Sequence, residues 1–446
     1  MRNKILFVII LLLGFGVRLY KITSPIADWH SWRQADTASV TRNFVKYGVD
    51  MLYPRYDDFS DVSGKGLFNP NGYRFVEFPI FNLIHYSLFI ISPFNNLSLE
   101  SIGRLTSVLA AMTSSVFIFL LLKRKVSQTA GFLGMIFFLF LPYNIFFTRV
   151  ILPENLMVTL TLGALLLFDL NLLTLGAVVG ALAILVKPVA LFFFLPLVIK
   201  HWRRIIVMLL PFVAWRIWEA RFPMGIPANL WLLNGNGIRF KGAFFQWIFG
   251  ERIGHLILGS WGVYPLIEGL LTMGGYWVWW VVGALLYLFT FATGNVHHDY
   301  YQIPIIPIIS ILLALGVAKA NTLYKKILMI ICVLFMFAFS WYEVRGRYQI
   351  NHYSIVDAGR AVDRLTPKDA VVLAPYNGDT AFLYQTNRRG FPFVYFPVKD
   401  FIDNYGVTYY VSVNYDALTR EVMNKYTIIE QNPDFVIVKL EEPKRL

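Results

Sequence analysis

Residues 173–198 read LTLGAVVGALAILVKPVALFFFLPLV. The run is apolar apart from Lys187, and it is longer than the roughly 20 residues that one membrane span needs. Pro188 interrupts it, because proline has no backbone N–H to donate and its ring clashes with the preceding helical turn. We therefore predict two short membrane helices, with the dipeptide Lys187-Pro188 at the turn between them.

Similar apolar runs fill most of the first 344 residues. They lie at 5–20, 78–94, 104–122, 129–148, 155–171, 205–220, 256–272, 276–293, 303–318 and 327–343. Of the 446 residues, 57% are hydrophobic and only 15% are charged, whereas soluble domains are nearer a quarter charged. This composition excludes a soluble globular, a disordered or a fibrous protein, and it predicts a polytopic α-helical membrane protein.

The basic residues indicate the orientation of the chain. The net charge is +13, and in a membrane protein such an excess points to cytoplasmic loops, so we expect no nucleic-acid partner. If 78–94 is a re-entrant or interfacial helix, the three basic clusters at 123–125, 201–204 and 325–326 all lie inside, as the positive-inside rule requires. The result is 11 spans, with 21–103, 149–154, 187–188, 221–255, 294–302 and 344–446 outside. The run at 5–20 also fits a cleaved signal peptide, but we favour an uncleaved first span.

The remaining residues, 345–446, have a different pattern. Strand-like segments lie at 370–374, 409–413 and 435–440, and 415–425 is helix-like. We predict two domains: a membrane domain at 1–344 with the long outer loop 21–103, and a small extracytoplasmic α/β domain at 345–446. We expect the second domain to modulate acceptor access and to carry no catalytic residue.

The outer loop contains a dense group of functional residue types just after the first apolar run. Residues 28–36 read DWHSWRQAD. Asp28 and Asp36 are acids, the Trp32 ring suits the membrane interface or a sugar face, and the Arg33 guanidinium suits phosphate. Such a group fits transfer from a lipid phosphate, although an acid in this place also fits a helix N-cap.

Further candidates lie in the other predicted outer segments. Glu77 opens the run at 78–94, where it fits either a site or ordinary helix capping. Glu154 lies between two apolar runs, where an acid is a functional candidate, and Lys187 fits either a site or snorkelling to the interface. The other candidates for phosphate or donor-lipid contact are Arg252, His298 and Tyr301.

The sequence resembles a known family. The resemblance rests on motifs in a fixed order on the predicted outer face: GVRLY at 16–20, WRQAD at 32–36, EFP at 77–79, RL at 104–105, Arg149 with PE at 153–154, and HDYY at 298–301 with Pro304. Together they resemble the GT-C superfamily of polyprenyl-phosphate-sugar glycosyltransferases. Within it, the chain is similar to the bacterial protein-mannosyltransferase-like and aminoarabinose-transferase-like branch.

The resemblance implies an inverting transfer of a hexose or pentose from a polyprenyl-phosphate donor to an extracytoplasmic glycan, lipid or protein at the plasma (inner) membrane. Asp28 maps to the catalytic base and Glu154 to the site or to acceptor binding. Two departures weaken the case for a protein acceptor: Trp29 follows Asp28 where the eukaryotic mannosyltransferases have an Asp-Glu pair, and Glu77-Phe78-Pro79 replaces their His-Pro-Pro-Leu-Gly-Lys segment. Some relatives bind a divalent metal, which these residues do not establish.

The candidate residues also match what transfer of a sugar from a lipid phosphate requires chemically. The acceptor hydroxyl needs a base, and the departing lipid phosphate needs cations more than an acid. Two alternatives stay open: a lipid-linked oligosaccharide ligase or polymerase, and a lipid or sugar transporter. A transporter is expected to have ionisable residues at mid-bilayer, and here most acids lie in outer segments, with Asp169 as the exception.

Overall fold

The structure is a computed structural model that describes residues 2–93 and 97–440. Phe94, which ends the predicted run at 78–94, lies outside the described residues, as do 95–96 and the last part of the predicted α/β domain, 441–446. The chain forms two compact units. The helical unit comprises Met1–Ile22, Arg104–Trp218 and Asn229–Tyr348, and the mixed unit comprises Thr23–Gly103, Glu219–Ala228 and Gln349–Leu446.

The α-helices through residue 344 are, in chain order, α1 Arg2–Arg18, α2 Ser31–Tyr47, α3 Ile80–Ile91, α4 Leu99–Lys125, α5 Gln128–Phe140, α6 Pro142–Phe147, α7 Glu154–Asp169, α8 Leu173–Val186, α9 Ala190–Phe193, α10 Leu195–Glu219, α11 Trp231–Asn234, α12 Gly242–Phe245, α13 Val263–Thr272, α14 Gly275–Thr290, α15 Ala292–His297, α16 Ile306–Ala318 and α17 Leu323–Val344. A π-helix covers Gln246–Ile257, and 3₁₀ segments cover Pro223–Gly225, Gly235–Phe240, Asp299–Ile305 and Arg345–Tyr348.

Three of the described helical stretches are long and apolar enough to cross a membrane: Leu99–Lys125, Asp299–Ala318 and Leu323–Tyr348. Several shorter apolar helices accompany them, and the full set of 11 spans stays a prediction. The predicted break at Lys187-Pro188 is confirmed, because α8 ends at Val186 and α9 begins at Ala190. Helix α3 has 12 residues, or about 18 Å, which is shorter than the roughly 30 Å hydrocarbon core.

Close helix packing holds the helical unit together. A Cβ atom on Gly269 of α13 would lie 2.0 Å from the Leu312 carbonyl oxygen of α16, and one on Gly316 would lie 2.1 Å from the Pro265 carbonyl oxygen. Only glycine permits backbones to approach this closely, which is a common device between membrane helices. Substituting alanine at either position therefore forces the two helices apart.

Asp169, the acid that the sequence places within an apolar run, is the last residue of α7. Both of its carboxylate oxygens are paired: Arg124 Nε and Lys125 Nζ, at the end of α4, each lie 2.6 Å away. The acid thus neutralises part of the basic cluster at 123–125. These two ion pairs give Asp169 a structural role.

The mixed unit contains α2, α3 and the elements of the chain from Ser354 onward. These are α18 Ser354–Leu365, β1 Val371–Leu373, α19 Thr380–Gln385, β2 Arg389–Phe391, α20 Val398–Tyr405, β3 Tyr409–Ser412, α21 Ala417–Lys425, β4 Thr427–Gln431 and β5 Val436–Lys439. The strands form a sheet in the order β2-β1-β3-β5-β4, in which β1 is parallel to β2 and β3, and β5 is antiparallel to β3 and β4.

The predicted strands at 370–374, 409–413 and 435–440 are confirmed as β1, β3 and β5, and the predicted helix at 415–425 is α21. Strands β2 and β4 were not predicted from the sequence. The core of this sheet includes Leu373, Phe401 and Tyr410, each fully buried. Their burial supplies the apolar contact that the short strands need in order to pair.

The outer loop folds onto the sheet in the same unit. The backbone N–H of Phe59 donates to the Gly390 carbonyl at 2.8 Å, and the N–H of Gly390 donates to the Asp57 carbonyl at 2.9 Å. Residue 58 thus forms a parallel bridge with Gly390 of β2. The predicted domain boundary near residue 345 stays a prediction. Within the mixed unit, the tail and the outer loop are joined by backbone hydrogen bonds.

Candidate active site

Asp28 lies in the mixed unit, just before α2, and only 5% of its surface is exposed to solvent. The Nε2 atom of Gln34 donates to Asp28 Oδ1 at 2.7 Å and lies 3.3 Å from the Trp29 carbonyl oxygen. His30 adopts a left-handed conformation with φ of +54°, and the Ser31 N–H donates to the Asp28 carbonyl at 3.0 Å. This tight turn into the helix allows Gln34, in its first turn, to reach back to the carboxylate.

The other predicted residues of the outer loop are in the same unit. Arg33, which is 4% exposed, forms an ion pair with Glu77. The carboxylate of Asp36 pairs with Arg74 at 2.6 Å and accepts from the Thr380 hydroxyl at 2.7 Å. Arg33, Asp36 and Glu77 therefore stabilise this segment, and their role in substrate binding stays a prediction.

The aromatic residues of this segment differ in exposure. Trp29 is 45% exposed, while Trp32 is half-buried and its carbonyl oxygen lies 3.1 Å from the Thr380 hydroxyl. Trp29 was not among the predicted substrate-binding residues, yet its indole is the more accessible of the two. An exposed indole beside a buried acid has the geometry to stack on a sugar ring.

Two further acids in this unit have pKa values well above the ordinary range. Burial raises the pKa of Asp58 to about 6, against hydrogen bonds from Ser60 that lower it. Burial likewise raises the pKa of Asp379 to about 6, and the nearby charge of Asp36 adds to the effect. Burial disfavours the charged form of a carboxyl group, and a nearby carboxylate adds to that effect.

Glu154 and Lys187 meet in the helical unit. Lys187 Nζ lies 2.7 Å from Glu154 Oε1, and the two side chains are 15% and 4% exposed. Glu154 begins α7, where its charge is stabilised by the helix dipole. Its second oxygen, Oε2, is buried without a hydrogen-bond partner among the described residues. A buried acceptor of this kind is costly unless a ligand or water satisfies it.

Arg252 lies on the π-helix Gln246–Ile257, a conformation that is rare and frequently found at functional sites. Its Nη2 donates to the Val296 carbonyl at 2.8 Å, and its guanidinium carbon lies 5.4 Å from the centre of the Trp247 ring. Its buried Nε has no hydrogen-bond partner, and no carboxylate in the described part of the chain forms an ion pair with it. This guanidinium can therefore accommodate an anion.

His298 and Tyr301 lie in the same unit, and Val296 shares their segment. The His298 ring is 6.1 Å from the Tyr301 ring and 5.9 Å from the Trp231 ring. The Tyr301 carbonyl accepts from the Tyr287 hydroxyl at 2.8 Å. Aromatic contacts and a hydrogen bond to a backbone carbonyl thus hold this segment in place.

Sequence reasoning missed two residues that contact candidate segments, Gln34 in the mixed unit and Arg347 in the helical unit. Gln34 hydrogen-bonds Asp28, and Arg347 forms an ion pair with the 1%-exposed side chain of Asp299, in the segment that carries His298. Neither has a local signal, because Gln34 looks like any polar helix residue and Arg347 follows the last apolar run like an ordinary interfacial anchor.

A divalent metal finds no fitting set of ligands here. Among residues 2–93 and 97–440, no three His, Cys, Asp or Glu side chains form a group that could hold a metal ion. Two other acids of the outer loop form ion pairs: Asp36 with Arg74, and Glu77 with Arg33. The described residues therefore do not fit the metal that the family resemblance left open.

The fold has known counterparts. Two crystal structures of ArnT from Cupriavidus metallidurans, in the apo state and bound to undecaprenyl phosphate, match the chain with TM-scores of 0.68 and 0.67, each at 14% identity over 98% of this chain and 97% of that chain. The archaeal oligosaccharyltransferase AglB from Archaeoglobus fulgidus, in complex with an inhibitory peptide and a dolichol-phosphate, matches with a TM-score of 0.59 at 9% identity over 95% of this chain and 73% of that chain.

No protein-family model and no curated protein matches the sequence. At 14% identity or less, what the likeness shows is a shared fold. The chain therefore shares the fold of the ArnT and AglB structures over nearly its whole length, and the resemblance predicted from its sequence is confirmed at the level of that fold.

Proposed function

We propose that the chain is an inverting glycosyltransferase that moves a hexose or pentose from a polyprenyl-phosphate donor to an extracytoplasmic acceptor. Two findings support this: the fold is shared with ArnT, one structure of which is bound to undecaprenyl phosphate, and Asp28 is a buried carboxylate held by an amide donor. The second observation carries the proposal, because a general base must be held in place and shielded from bulk water.

In the proposed reaction the acceptor hydroxyl oxygen attacks C1 of the sugar from the face opposite the phosphate. The bond from C1 to the phosphate oxygen breaks as the new C1–O bond forms, and its electron pair leaves with the lipid phosphate. The hydroxyl proton passes to Asp28. One base on the attacking side and cations on the leaving side suffice for this displacement.

We assign the leaving phosphate to Lys187 and Arg252. Arg252 has one hydrogen bond, to a backbone carbonyl, and a buried Nε with no partner among the described residues, so an incoming phosphate oxygen would gain a charge-assisted bond. We also assign to Glu154 Oε2, which has no hydrogen-bond partner among the described residues, the role of accepting a hydrogen bond from a hydroxyl or amino group of a substrate. In this proposal the active site faces the extracytoplasmic side of the plasma (inner) membrane.

The test uses membrane vesicles from cells that lack the gene, supplied with the wild-type protein or a variant. A panel of polyprenyl-phosphate sugars, each radiolabelled in the sugar, serves as donors. The measured quantity is the radiolabelled sugar that has been transferred from the donor lipid to an acceptor. Asp28→Asn keeps the shape and removes the charge, so we expect kcat to fall by at least about 100-fold while undecaprenyl phosphate still binds. The matched control is Asp50→Asn, an exposed acid of the same loop, which we expect to leave transfer unchanged.

The same experiment separates the alternatives. A ligase or polymerase transfers label within a long chain, and a transporter moves the labelled donor intact across the membrane. Near wild-type transfer by Asp28→Asn would show that Asp28 is not the base. Mass spectrometry of cell-surface glycans from cells without the gene then identifies the acceptor.

A further inference from the structure

The Asp28 carboxylate is contacted by a side chain that the proposed chemistry does not use. Gln34 is fully buried, and its Nε2 lies 2.7 Å from Asp28 Oδ1 and 3.3 Å from the Trp29 carbonyl oxygen. The two acceptors belong to neighbouring residues, so one amide group ties the carboxylate to its own backbone. This arrangement restricts rotation of the carboxylate about its last torsion, which is otherwise broad.

Helix α19, from the other end of the chain, holds the backbone on both sides of Asp28. On the N-terminal side, Gln385 Nε2 donates to the Ile26 carbonyl at 2.9 Å. On the C-terminal side, the Thr380 hydroxyl lies 3.1 Å from the Trp32 carbonyl oxygen and 2.7 Å from Asp36 Oδ1. The first and last residues of one short helix thus contact the segments before and after the base.

We propose that Gln34 is a positioning residue for the Asp28 carboxylate, and that α19 completes the positioning by holding the flanking backbone through Thr380 and Gln385. The proposal rests on the proposed function, since it requires that Asp28 is the base. It adds to the expectation that the tail carries no catalytic residue: in this proposal, Thr380 and Gln385 act on the base only through the backbone that flanks it.

The physical reason is the steep dependence of proton transfer on geometry. A misplacement of about 1 Å can reduce a rate by roughly 100-fold, and outer-shell hydrogen bonds that orient a functional group typically contribute about 10- to 100-fold. The loop from Ile26 to His30 has no regular secondary structure of its own. Hydrogen bonds from outside the loop therefore help to fix its position, and Gln34 and α19 donate such bonds.

The test measures kcat and KM in the vesicle assay for Gln34→Met, Thr380→Val and Gln385→Met, each alone and combined with Asp28→Asn. For Gln34→Met we expect kcat to fall about 10- to 100-fold, with KM and the affinity for undecaprenyl phosphate unchanged. On the Asp28→Asn background the same change should cause no further loss, because residues that act as a unit are non-additive. The α19 variants should show the same pattern with smaller losses.

Matched controls separate positioning from general damage. Asn69→Leu removes another fully buried amide of the same unit, whose two hydrogen bonds go to the backbone of Tyr73. Thr386→Val removes a buried hydroxyl that bonds only the carbonyl of Leu383 and the N–H of Arg388. Both controls lose packing of the same kind, and we expect both to retain wild-type kcat.

The outcomes are distinct. A wild-type kcat for Gln34→Met, or a full further loss on the Asp28→Asn background, overturns the positioning role. Full activity of Asp28→Asn overturns the proposed function itself, whatever Gln34 does. If Gln34→Met does not accumulate as folded protein, Gln385→Met and Thr380→Val decide by the same criterion. Gln385 contacts the Ile26 carbonyl, and Thr380 contacts the Trp32 carbonyl and Asp36, so neither touches the Asp28 carboxylate in these contacts.

Discussion

The buried pair of Lys187 and Glu154 allows stability and ligand binding to be separated. The side chains are 15% and 4% exposed and their charged atoms are 2.7 Å apart. Lys187→Met removes one charge and leaves the other buried, which typically costs about 3–5 kcal/mol. Replacing both, as in Lys187→Met with Glu154→Leu, removes the uncompensated charge, so we expect the double variant to recover most of the lost thermal stability.

Binding of undecaprenyl phosphate should not recover with stability. If Lys187 contacts the phosphate, its loss removes a charge-assisted hydrogen bond of about 1.5–3 kcal/mol, which weakens the Kd by roughly 10- to 150-fold in both variants. Glu154→Gln keeps Lys187 and should weaken donor or acceptor binding more than it slows the chemical step. Thermal unfolding in lipid nanodiscs and titration with undecaprenyl phosphate are the two assays. A double variant that is stable and binds the lipid like the wild type would refute the phosphate role and leave a purely structural pair.

The other predictions concern topology, phosphate contact and pH. Cysteines introduced at Lys125 and Asn96 in a chain without its native cysteine should react with an impermeant reagent from opposite sides of the membrane, and labelling from the same side would contradict the positive-inside assignment. Arg252→Met should weaken binding of undecaprenyl phosphate by roughly 10-fold or more with little effect on folding, and unchanged binding would exclude it from the phosphate site. Burial raises the pKa of Asp58 to about 6 from 3.8, so the folded form holds this proton more tightly than the unfolded form, and stability should fall by up to about 3 kcal/mol as the pH rises from about 4 to about 6 and then level off. Asp58→Asn should flatten that slope in thermal unfolding, and a persistent slope would assign it to another group.

Much of the helical architecture was predictable because the membrane imposes local rules. A span must be a long apolar helix, since backbone groups cannot be left unpaired in hydrocarbon, so an apolar run such as 327–343 predicts a helix directly. Proline acts on its own turn, so the break between Val186 and Ala190 was also visible. The alternation of strands and helix in the tail is local in the same sense.

Charged residues between apolar runs could be predicted as site candidates from the sequence, but their side-chain partners could not. Glu154 and Lys187 stand out because charges between apolar runs are expensive, yet nothing in the sequence indicates that they pair. Gln34 has no such signature and became visible only through its distance to Asp28. Side-chain partners depend on rotamers and on backbone turns such as the left-handed His30, which propensities do not specify.

The sequence alone indicated a helical protein with many apolar segments, most of its helical segments, three of the five strands and the order of the motifs. Those features depend on solvent preference and local backbone geometry, which a residue and its near neighbours decide. The tertiary structure alone decided that β2 pairs with the outer loop at Gly390, and that Thr380 and Gln385 hold the segment of Asp28. Contacts between residues more than 300 positions apart form only when the packing of the whole unit makes up for the entropy of closing the long loop between them, and no local pattern records that balance.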